Sequence, residues 1–149
     1  MTEPALLEPP RPHLLGLARV VHGPAAPWVT LAAAASSVVW VAAVDPNEPG
    51  HYPLCPLNAV TGLYCPGCGA LRATHALAHG DLGAALGFNA LFVLVLPVLA
   101  ATWVVWARRR TLRLPRRLLA PAWTIWTLLA VEIAFTVFRN LPWFAVLAP

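Results

Sequence analysis

Lysine is absent from this chain. All ten basic residues are arginines, and charged residues make up only 11% of the sequence, against about 25% in soluble globular domains. So little charge excludes an ordinary water-facing surface. No phosphate-cradling glycine loop and no Ser/His/Asp constellation is visible, so no nucleotide site is expected. A second cysteine pair is missing too. The chain has three cysteines, one short of the two pairs that mark a four-thiolate metal site.

Apolar sequence fills the space. Hydrophobic residues make up 59% of the chain and mean hydropathy is +0.68. They fall in long runs instead of short-period amphipathic patterns, which is the signature of a membrane protein. Residues 1–26 contain Pro4, Pro9, Pro10, Pro12 and Pro24. Proline removes an amide donor and fixes φ, so this stretch is expected to be an extended, Pro-rich tail. The rest, residues 27–149, is expected to be one membrane domain with spans at about 27–44, 82–107 and 118–138. From Trp28 to Val44 no residue is charged, and a helix of that length reaches roughly 26 Å. Pro97 is expected to kink the second span. Asp81 is expected to cap its start and Gly80 to end the helix before it. The seven tryptophans lie mostly near span ends and suit interfacial anchoring.

Arginine placement gives an orientation. Eight arginines lie in the tail and in the loop between the second and third spans, against two, Arg72 and Arg139, on the other side. The positive-inside rule then puts the N-terminus in the cytoplasm and residues 51–81 outside it, in a plasma (inner) membrane. Six of the eight sit in one short segment between apolar runs. That suits a topology signal better than a phosphate-binding groove, so nucleic acid is not an expected partner. The lipid bilayer is, together with a membrane-protein partner or a second copy of the chain.

Residues 51–81 hold all three cysteines. Cys65-Pro66-Gly67-Cys68-Gly69 has the spacing of a metal knuckle, in which a tight turn brings two thiolates to one ion. Cys55 is a third donor, and the fourth is sought among His75, His79, His51 and Asp81, with His75 favoured as the nearer histidine. Zinc or another transition metal suits such a set. A helix starting near Gly69 would place Arg72, His75 and His79 on one face, within roughly 60°. His75 would still lie about 10 Å along the axis from Cys68. The helix dipole and Arg72 are expected to lower the thiol pKa values. Two other readings stay open at this point. One is a structural disulfide from Cys55 to Cys65 or Cys68 in a non-catalytic assembly module. The other is thiol-disulfide exchange at Cys65 and Cys68.

Two polar residues inside apolar runs are further candidates. Glu132 in the third span is costly if charged and unpaired, and is expected either to bind a cation, carry a proton or pair with Arg139 or Arg72, or to be a protonated acid hydrogen-bonded to Asn89 or a serine of the first helix. Asn89, near the outer end of the second span, suits helix–helix hydrogen bonding.

Cys55-Pro56, Gly62, Cys65 to Gly69, Arg72, Gly80-Asp81, Ala85, Asn89 and Arg139-Asn140 together resemble the bacterial family called domain of unknown function 2752. The resemblance runs from about Pro53 to Pro142 and departs at Leu71, where many members carry threonine or serine. It implies a small integral membrane protein and no particular activity. The combined expectation is an all-α integral membrane protein with three transmembrane helices and a short helix in an external cysteine segment. Its expected role is metal binding, as an accessory subunit.

Overall fold

The computed structural model describes residues 23–115, 121 and 123–148. The chain is all-helical, with no strand among the described residues. The helices are α1 (Ala26–Ala43), α2 (Pro56–Thr61), α3 (Ala70–Ala78), α4 (Leu82–Thr111) and α5 (Trp123–Arg139), followed by a 3-10 helix over Pro142–Leu147.

Helices α1 and α4 are long and apolar enough to cross a membrane. Only 17% and 6% of their most apolar windows are buried inside the chain, too little for core helices of a soluble protein. The two run antiparallel. The start of α1 meets the far part of α4 where Trp28 packs edge-on against Trp103, with ring centroids 6.0 Å apart. There Trp103 Nε1 donates to Pro27 O at 3.2 Å. The end of α1 reaches α3, where His75 Nδ1 lies 2.8 Å from Val41 O.

Helix α1 covers the stretch expected as the first span, offset by one residue at each end. The second continues four residues past the expected end, through Arg108–Arg110, because arginine is a good helix former and complements the C-terminal dipole. A break not expected from the sequence falls at Asn89, where helical dihedrals fail (φ −160°, ψ 91°), while Pro97 lies within the helix with no such departure. Asn89 Oδ1 accepts from Phe92 N at 2.9 Å, so the side chain caps a fresh helical start. The described part of the third run is α5, 17 residues long. Its expected first residues, 118–120, and the tail's residues 1–22 lie outside the described residues.

Asp81 caps α4 as expected, accepting from Ala84 N at 2.8 Å, and Gly80 takes positive φ just before it. This tight corner folds α3 back onto α4. Ala73 and Ala85 are fully buried there with Ala76, and Phe88, Phe92 and Val93 pack around them. Small residues let two helix backbones approach closely. The corner therefore fixes the cysteine segment against the end of the helix pair.

That contact predicts the effect of a larger side chain. Ala85→Leu should lower unfolding stability by about 1–3 kcal/mol, the usual cost of overpacking. Leu99→Ala, on the uncovered side of α4, should stay within about 0.5 kcal/mol. Denaturant titration of the purified protein reads both, and an unchanged midpoint for Ala85→Leu would contradict the packing.

Candidate metal centre

The cysteine segment is built from two short helices and the turn between them. Pro56 fits the first turn of α2, where no amide donor is needed. Gly62 ends α2 in the left-handed region (φ 73°), a conformation glycine adopts without penalty. Cys55 stands just before α2, at its N-cap. In the knuckle, Cys68 N donates to Cys65 O at 3.1 Å and Ala70 N to Gly67 O at 3.0 Å. Gly69, also left-handed (φ 83°), starts α3. The helix expected near Gly69 is present, while α2, only six residues long, is too short to announce itself by periodicity.

These turns bring the three thiols together. Cys65 Sγ lies 3.5 Å from Cys55 Sγ and 3.3 Å from Cys68 Sγ. All three sulfurs lie within 4.8 Å of one another, and no disulfide joins them. Tetrahedral ligation with bonds of 2.3 Å places sulfurs about 3.8 Å apart. The donor set therefore fits three corners of such a site.

The knuckle is gripped from below by side chains far away in sequence. Asn89 Nδ2 donates to Pro66 O at 2.8 Å and to Cys68 O at 3.0 Å. Arg139 Nη1 donates to Cys65 O at 2.9 Å and to Cys68 O at 3.2 Å. Asn140 holds Tyr64 from both sides, accepting from its N–H at 2.8 Å and donating to its carbonyl at 2.9 Å. Asn89 and Arg139 are each 1% exposed. The Arg139 guanidinium sits 4.9 Å from the Phe135 ring centroid and 5.8 Å from that of Tyr64, within cation–π range. Its Nε and Nη2 have no hydrogen-bond partner among the described residues. Asn89 thus contacts the cysteine loop, where helix–helix bonding was expected. Arg139 and Asn140 escaped reasoning by spacing. Their signals in the sequence are their place in the family resemblance and a polar pair closing an apolar helix, neither of which assigns them to the knuckle.

The other candidates lie elsewhere. His75 is not brought into the sulfur group. Its Nδ1 faces Val41 O, and its Nε2 is 3.9 Å from Asp45 Oδ1. His79 stacks on His75 with centroids 4.3 Å apart, and its Nδ1 faces His75 O. The physical reason is the helical rise: α3 carries both rings away from the knuckle towards the end of α1. The Asn47 backbone N–H holds the Asp45 carboxyl below its usual pKa, aided by the Asn47 side chain and the two histidines. His51 lies 4.0 Å from Glu48, and Asp81 is taken by its cap. Glu132 is exposed on α5 and makes no ion pair among the described residues. Arg139, its expected partner, is committed to the knuckle.

The thiols divide, where a common fall was expected. Backbone N–H groups at the start of α2, Asn58 first, and contacts with Cys68 and Cys65 lower Cys55 to about 7. Burial, reinforced by the neighbouring sulfurs, pushes Cys68 up to about 12. In reduced, metal-stripped protein, alkylation of Cys55 should therefore rise through about pH 7 and level off. Cys68 should keep gaining rate to the alkaline end of the experiment. Peptide mass mapping distinguishes the two sites, and equal rates at neutral pH would contradict the assignment.

The model of the family described as a protein of unknown function (DUF2752) matches residues 55–103. The match takes in the three cysteines, Arg72, Asp81 and Asn89, in agreement with the resemblance carried by the sequence, and stops short of Arg139 and Asn140. No curated protein and no solved structure matches the chain.

Proposed function

We propose that this is a multi-pass membrane protein that holds a transition-metal ion, zinc by preference, on Cys55, Cys65 and Cys68. The observation that carries the reading is the convergence of three unbridged sulfurs within 4.8 Å. The clamped turn beneath them supports it, because a preorganised donor set loses less freedom when the ion binds.

Charge supports the same reading. Arg139 is a buried cation, and a buried cation is costly unless compensated. Three thiolates on a divalent ion carry one surplus negative charge, which would balance one guanidinium. Three neutral thiols would leave it uncompensated. The raised Cys68 pKa then belongs to the metal-free form, since binding a metal displaces thiol protons.

In this reading α1, α4 and a third span over about 118–138 cross the plasma (inner) membrane. The N-terminus is cytoplasmic and residues 51–81 are extracytoplasmic, as the arginine distribution favours. The uncovered apolar faces of α1 and α4 suit lipid, and those of α5 suit lipid or a second membrane-spanning chain. The protein acts as an accessory subunit and not as a nucleic-acid binder. The rival reading, thiol-disulfide exchange at Cys65 and Cys68, is favoured by their 3.3 Å separation. In that reading Cys68, whose burial disfavours the thiolate, would be the resolving and not the attacking thiol.

Metal analysis tests the proposal. Protein purified under reducing conditions should carry about one equivalent of ion per chain. Cys55→Ser, Cys65→Ser and Cys68→Ser should each lower affinity at least tenfold, while His75→Ala should retain the ion. Metal-free protein of undiminished stability, or a Cys65–Cys68 disulfide under those conditions, would overturn it.

A further inference from the structure

A cavity of about 720 Å³ opens beside the sulfur cluster. Cys55 and Cys68 line it, with Asn58, Tyr52, Tyr64 and Arg72. Two of the three cysteines therefore border an accessible space, while the carbonyl side of the knuckle is held by Asn89 and Arg139.

Among the described residues no histidine, carboxylate or further cysteine joins the sulfur group, and His75, His79, His51 and Asp81 have their nearest partners elsewhere. A tetrahedral ion on three protein ligands keeps one position for an exogenous molecule. Here the cavity is the side from which that position can be reached.

The wall also indicates what fits. Arg72 is half-buried, and no acceptor or carboxylate among the described residues partners its guanidinium. The acidic residue on the wall, Glu48, lies 4.0 Å from His51. A free guanidinium on the wall of the same cavity as an electrophilic ion suits an oxyanion, which accepts a forked hydrogen bond from the one while donating an oxygen to the other. We propose that the cluster is an open three-cysteine metal site whose fourth position takes a phosphate-type oxyanion from the cavity, held by Arg72. This rests on the metal reading above and adds to it a ligand class and a binding residue.

Cobalt(II), which reports its ligands by colour, tests the two layers separately. The full-length protein is loaded with cobalt in phosphatidylcholine vesicles and titrated with inorganic phosphate. A second sample contains phosphatidylglycerol, so that a lipid headgroup is distinguished from free phosphate. Saturable change in the ligand-field bands in either arm supports the proposal and identifies the source. Arg72→Ala should weaken that response about tenfold or more, and Arg72→Lys should recover part of it. Cobalt–thiolate absorption that is unmoved in both arms, or moved equally in Arg72→Ala, overturns the oxyanion site and leaves the metal site standing. Absence of cobalt–thiolate absorption removes the metal reading and this inference with it.

Discussion

The grip of Asn89 and Arg139 on the carbonyls of Cys65, Pro66 and Cys68 is the constraint on which the rest of the structure depends. A four-residue turn between two cysteines has many conformations. These bonds select one in which both sulfurs face the same way, towards Cys55. They also tie together parts of the chain that otherwise touch little. Asn89 belongs to α4, while Arg139 and Asn140 close α5, and all of them meet at the knuckle. Because Asn89 and Arg139 are themselves 1% exposed, loss of the carbonyls' grip would leave a buried polar side chain unpaired and cost more than one hydrogen bond.

The arrangement also explains an apparent defect in α4. Breaking the helix at Asn89 frees that side chain to cap the next turn with its oxygen and hold the knuckle with its nitrogen. Local irregularity is thereby converted into a fixed site. Arg139 plays a complementary part. It donates to two backbone carbonyls and places a buried positive charge near the sulfurs, faced by the Phe135 and Tyr64 rings.

Much of this was legible in the residues, for identifiable reasons. Long apolar runs with sharp Pro, Gly and Asp punctuation gave the bounds of α1 and the start of α4 almost to the residue, because capping and turn chemistry act locally. The cysteine spacing pointed to the donors for the same reason. Local rules failed where the outcome depended on distant contacts. Pro97 was the stronger breaker on propensity, yet the break falls at Asn89, whose amide has a partner 23 positions away. Arg139 reaches Cys65 across 74 positions, a relation that no spacing rule encodes. His75 shares a segment with the cysteines, but the rise of α3 carries it to Val41 and Asp45.

X-ray absorption at the metal edge of the purified, reduced protein tests the central claim most directly. The account predicts three sulfur scatterers at about 2.3 Å and one lighter atom in the first shell. A shell without three sulfurs, or one completed by a histidine that vanishes in His75→Ala, would contradict it.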